Sequence, residues 1–206
     1  MGPDRHAPRR WRAATAAAVV VAVALTGCGS SSDDQSDSTG PAAASLERKI
    51  DAAQAKAKAA PTDPAPLAAL AKLHFQAATL KMGSSGTYGD DAKARLREAT
   101  QAWERYLALD PQPVDTSVAQ LMSAAYGPGS LDDPKRAVAA QRVLAANTRP
   151  PDPAQFAQLA QKAYYAGETK TGDAAAARAI ELTPRSQRAA MRDTMKTAKS
   201  QLTPTP

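Results

Sequence analysis

From residue 45 onward, apolar residues recur three and four positions apart, and strand-like alternation is nearly absent. This spacing predicts a chain of helices, with prolines falling between them. Leu46, Ile50, Ala53 and Ala57 make one stripe on a helix over 45–59. A helix carrying Leu67, Leu70 and Ala71 starts at Asp63-Pro64. Ala92 to Leu109 forms the next, closing on Asp110-Pro111. Helices follow from Asp115-Thr116, over Lys135 to Ala146, from Asp152-Pro153 and over Ala174 to Leu182. Met191, Met195, Ala198 and Leu202 define a terminal helix. Each Asp-Pro or Asp-Thr pair is a start signal, since proline is tolerated at the first helical position.

The pattern repeats. Thr62 to Ala71 aligns with Pro151 to Ala160 at an offset of 89, and a weaker copy spans Asp115 to Met122. An aromatic follows each copy at the same place: Phe75, Tyr126 and Tyr164. A second helix ending at a proline follows each copy as well. Phe156, Leu159, Ala160, Gly167 and the run Ala179-Ile180-Glu181-Leu182-Thr183-Pro184 resemble one tetratricopeptide repeat (TPR), a helix-turn-helix unit of 34 residues. Leu67, Leu70, Ala71, Ala99, Trp103 and Pro111 fit a first repeat, with Tyr106 where the family usually has a small residue. Val118, Leu121, Ala139, Val143, Ala146 and Pro151 fit a second. The first two carry loop insertions, at 81–91 and 127–134, and most of the family's first-helix tryptophan and glycine are replaced.

The resemblance spans roughly residues 64 to 184. It implies an all-α solenoid of about three TPR-like hairpins, the helices at 45–59 and near the C-terminus acting as caps. Ala71, Ala99, Ala139, Ala146, Ala160 and Ala179 suit helix crossings, while Leu67, Leu70, Trp103, Leu121, Val143 and Leu159 fill the space between. By the same resemblance, Lys72, Phe75, Gln76, Ser123, Tyr126, Gln161 and Tyr164 line a concave groove that takes a protein or peptide partner. Core packing is the competing reading for the aromatics.

The first 44 residues follow another pattern. Arg5, Arg9, Arg10 and Arg12 precede an apolar run from Ala13 to Leu25, too short for the ~20 residues of a spanning helix. Leu25-Thr26-Gly27-Cys28 closes the run and holds the chain's single cysteine. The layout is that of a secretory leader, and its last four residues resemble the lipobox of bacterial lipoproteins. That likeness implies removal of residues 1–27, diacylglycerol on the Cys28 thiol, and residence at the outer face of the cell membrane. Residues 29–44 contain no aromatic and no branched apolar residue, so they read as a flexible linker of ~20–25 Å reach. The helical domain is expected over 45–202, with 203–206 as a tail.

Charge changes the picture little. Losing Arg5, Arg9, Arg10, Arg12 and Asp4 from 26 basic and 20 acidic residues leaves 22 and 19, a net +3. The basic leader therefore accounts for much of the high isoelectric point, and no nucleic-acid partner is expected. One cysteine makes no disulfide and no thiolate metal cluster. His74 is the sole histidine past the leader, which leaves neither a histidine metal pair nor a Ser-His system. Gly83-Ser84-Ser85-Gly86 lacks the Gly-Lys-Ser/Thr ending of a phosphate loop. Asp90-Asp91 and Asp132-Asp133 lack the spacing of a calcium loop and suit helix starts. No metal, no cofactor beyond the lipid at Cys28, no small-molecule substrate and no enzymatic activity are expected. The favoured role is a protein-interaction scaffold or adaptor in the cell envelope, the alternatives being a homo-oligomeric assembly subunit and, distantly, an enzyme. Arg185, Arg188, Arg192, Lys196 and Lys199 make a basic stripe on the terminal helix, read first as a solvated face and second as a contact for anionic headgroups.

Overall fold

The computed structural model describes residues 40–83 and 86–202. They form α1 (Pro41–Ala59), α2 (Pro64–Leu80), α3 (Asp90–Ala108), α4 (Thr116–Ala125), α5 (Pro134–Asn147), α6 (Pro153–Tyr165), α7 (Thr169–Leu182), a 3₁₀ turn (Arg185–Gln187) and α8 (Arg188–Leu202). No strand occurs among the described residues; a single β-bridge pairs Met82 with Tyr88. The protein is an all-α stack. α2 packs on α3, α4 on α5 and α6 on α7, and these three hairpins are the most extensive contacts. α1 lies against α2, while α8 lies against both α6 and α7.

One local device starts four of the helices. The Asp63 carboxylate accepts from Ala65 N–H, Asp115 from Ser117 and Val118 N–H, Asp133 from Arg136 N–H, and Asp152 from Ala154 N–H. Each bond satisfies a backbone donor that a helix start leaves unpaired. Pro64, Pro134 and Pro153 follow three of these caps. Asp90 and Asp91 sit in the first turn of α3, where their charge favours the helix dipole, although Gly89 holds the cap position. Gly167 closes α6 at φ +75°, the left-handed conformation that glycine reaches without cost.

The end helices are caps. Leu46, Ile50, Ala53 and Ala57 of α1 are all buried. That helix starts at Pro41, four residues before the expected 45, with proline in its first turn. On α8, Met195 and Ala198 are buried and Met191 and Leu202 partly so. α7 runs from Thr169 instead of Ala174.

The core falls into two clusters that meet along α5. The larger joins α1 to α5 through Ile50, Leu67, Leu70, Leu96, Trp103, Val118, Met122 and Leu144. The smaller joins α5 to α8 through Val138, Leu159, Tyr164 and Met195 with several alanines. Here the expected register is corrected. Ala139 and Ala146 are exposed and Val143 only half-buried, while Ala137, Val138, Ala140, Gln141, Leu144 and Ala145 face inward. Likewise Met122 is fully buried where Leu121 was expected, and Leu121 is half-exposed. α5 and α4 each touch neighbours on more than one side, which turns their buried faces by about one residue from the simplest stripe. Ala71, Ala99, Ala160 and Ala179 are each fully buried.

Tyr106, the large residue in a small-residue position, stacks on Trp103 with ring centroids 5.4 Å apart. Its hydroxyl accepts from the Asp115 N–H at 2.7 Å, which ties the end of α3 to the start of α4.

Candidate functional site

The seven residues expected on a concave groove divide into three groups. Phe75 and Gln76 stay at the surface, where α1, α2 and α4 enclose an open groove of about 580 Å³. Leu46, Phe75, Leu80 and Leu121 form its apolar lining, with Ser45, Lys49, Gln76 and Thr79 also on its walls. Leu80 is 58% exposed, the largest exposure of any large apolar side chain described. Gln161 is half-exposed but lies elsewhere, in clefts between α6 and α8.

Lys72 is half-exposed and engaged. Its ammonium donates to Asp115 Oδ2 at 2.7 Å, so the residue that caps α4 also anchors α2. Burial pulls the Asp115 carboxyl up, but hydrogen bonds from Lys72 and Ser117 outweigh it and hold the group below its ordinary value.

Ser123, Tyr126 and Tyr164 are buried, which takes their side chains off the groove surface. Tyr126 is 3% exposed; its hydroxyl donates to Glu104 at 3.2 Å and the Arg136 guanidinium lies 5.9 Å from its ring centre. Tyr164 is 2% exposed and donates to Asp173 at 3.0 Å. Burial, with the facing carboxylate next, pushes each phenol up to about 12. The physical reason is position. Both tyrosines end their helices, and their rings fold back against the hairpin partner while the hydroxyls reach carboxylates at its edge. Gly172 makes this possible for Tyr164: a Cβ there would stand 2.4 Å from the ring.

Ser123 belongs to a polar seam that its isolated position on α4 did not announce. Its Oγ donates to Gln141 Oε1 at 2.9 Å. Gln141, 1% exposed, donates in turn to the backbone carbonyl and side-chain oxygen of Gln155. Lys162 adds a bond to the Ser123 carbonyl at 3.2 Å, and burial holds its ammonium below the usual lysine range. The seam joins the second hairpin to the third. Glutamine inside an apolar helix face is the sequence signal that could have found it.

A second cleft, of about 380 Å³, opens over His74 between α1 and α3. The imidazole is 4% exposed, and its Nδ1 stands 3.0 Å from Glu98 Oε2 without the alignment of a hydrogen bond. Arg95 links Glu98 to Glu47 of α1 above it. Burial lowers the His74 pKa from its ordinary value; Glu98 opposes this, Arg95 adds to it and Glu47 opposes it. No group of three or more metal-ligating side chains occurs among the described residues.

The basic stripe is partly committed to the fold. Arg188 donates to the Thr183 and Glu181 carbonyls at the end of α7, and Lys199 pairs with Asp173 at 2.8 Å. Arg185, Arg192 and Lys196 remain exposed. Cys28 and its lipobox-like context lie outside the described residues, and no described helix is long and apolar enough to cross a membrane.

Fold and surface together define an all-α helical-repeat protein with an open apolar groove on α1, α2 and α4 and a polar seam between its hairpins. Comparison with protein-family models, curated proteins and solved structures finds no match to the chain.

Proposed function

We propose that this chain is a lipid-anchored scaffold on the outer face of a bacterial cell membrane, whose TPR-like stack holds a partner protein. The observation that supports it most is the pairing of a lone cysteine in Leu25-Thr26-Gly27-Cys28 with a capped stack of helical hairpins. The leader supplies the membrane; the stack supplies a long rigid surface. Several of its buried or half-buried polar side chains serve caps and the Ser123–Gln141–Gln155 seam, which are structural uses. The first helices of the hairpins carry the exposed Gln76 and Gln120 and the half-exposed Gln161, which are candidate contacts for the partner.

Two measurements test the reading. Cys28→Ser removes the thiol that would carry the lipid, so the protein is expected to leave the membrane fraction or to persist as unprocessed precursor. Normal processing and membrane retention of this variant overturn the anchor. Photocrosslinkers placed at Gln76, Gln120 and Gln161 in intact cells are expected to trap one common partner. Adducts only between copies of the chain support a homo-oligomer instead.

A further inference from the structure

We infer that the groove between α1, α2 and α4 binds a single hydrocarbon chain bearing an anionic head, as in a fatty acid drawn from the membrane. Its size suits a slim ligand better than a partner helix. An α-helix with side chains is about 10–12 Å across, so about 580 Å³ accommodates little more than one turn. Its chemistry excludes an extended peptide. Every peptide residue but proline carries a donor and an acceptor that need partners when buried. The lining is Leu46, Phe75, Leu80 and Leu121, and the Thr79 hydroxyl is already bonded to the Phe75 carbonyl. Few groups remain to meet a backbone: Ser45, Lys49, Gln76 and the lone pairs of Thr79. A hydrocarbon chain is slimmer and has no polar groups to satisfy, and its removal from water is the driving force such a lining supplies.

Lys49 sets the sign of the head. It is the only formally charged residue on the lining, it is exposed, and it makes no ion pair with the described residues. No carboxylate lines the groove to repel an anion. The site extends beyond the scaffold role. Its supply of ligand alone rests on the lipoprotein reading, in which Cys28, twelve residues before Gly40, carries the lipid.

The test uses the full-length chain reconstituted in phosphatidylcholine vesicles containing a diazirine-bearing palmitic acid, with its methyl ester as the uncharged control. Illumination is expected to label peptides carrying Leu46, Phe75 and Leu80. Leu80→Glu places an unpaired carboxylate on the lining and is expected to cut that labelling about tenfold or more. Lys49→Gln is expected to cut labelling by the acid about fivefold while sparing the ester. Both positions are exposed, and unchanged melting temperatures confirm that the variants fold. Labelling spread evenly over the surface, or undiminished by Leu80→Glu, overturns the site. An equal effect of Lys49→Gln on acid and ester overturns the anionic head. Neither outcome depends on the anchor, which the Cys28→Ser fractionation tests separately.

Discussion

The two clusters of the core differ in size more than in composition. The one joining α1 to α5 sets large side chains, among them Ile50, Leu96, Trp103 and Met122, between twelve buried alanines. The one joining α5 to α8 is mostly alanine around Leu159, Tyr164 and Met195. The apolar groove with its exposed Leu80 lies on the first cluster, and a cleft of about 630 Å³ between α6 and α8, walled by Met191 and Met195, lies on the second. Alanines bring backbones close, and in the second cluster even a glycine, Gly172, is needed to seat a ring. Between the clusters runs the seam of Ser123, Gln141 and Gln155, which fixes geometry more than it adds stability. Similar repeats thus produce two regions that each carry an open cleft, the second tight at Gly172, joined through hydrogen bonds.

The largest expected effects come from cavities. Leu96→Ala and Leu159→Ala should each cost ~2–5 kcal/mol, with the fully buried Leu96 at the upper end. In a stack each hairpin leans on its neighbours alone. Leu159→Ala should therefore lose ellipticity in urea before the fluorescence of Trp103 changes. Coincident transitions would break the comparison by showing one cooperative core.

Gly172→Val tests the tight region directly. The new side chain meets the Tyr164 ring, an overpacking expected to cost ~1–3 kcal/mol. In the Tyr164→Ala background the penalty should largely vanish, and an additive double-mutant cycle would show that the ring does not pack there.

The seam offers a subtler measurement. Gln141→Leu strands the Ser123 hydroxyl and the Gln155 acceptors, at an expected cost of ~1–3 kcal/mol. Adding Ser123→Ala should recover part of that loss. If it recovers nothing, the seam is not a network.

The smallest effect is a pH slope in the larger cluster. His74 has a lowered pKa in the fold, so below about pH 6.5 the unfolded chain takes up the proton more readily. Stability should fall with acidification from that point until the folded imidazole also protonates, with Glu98, Arg95 and Glu47 facing it. His74→Gln should flatten this part of the profile in urea titrations at stepped pH. An unchanged slope would assign it to other groups.

Much of this was legible in one dimension. Helix existence, the aspartate caps, the three hairpins and the two end helices are local or nearly local properties. An Asp-Pro start signal and a three-and-four stripe act within a few residues, whatever the neighbours do. The candidate groove was legible only in part. The stripe of α2 pointed to Phe75 and Gln76, but not to the α1 and α4 walls that make them a groove.

What the sequence by itself determined, then, is which segments are helical, where they begin and how many hairpins they make. Tertiary structure decided which way each helix turns. Periodicity names a face but leaves its angle open when a helix touches neighbours on two sides, as α5 does. That angle buried Gln141 and left Ala139 and Ala146 exposed, and the angle of α4 placed Leu121 on a groove wall. Tyr126 and Tyr164 went inward because their hydroxyls found Glu104 and Asp173 at the hairpin edge. Those partners stand 22 and 9 residues away along the chain, beyond the reach of any local pattern.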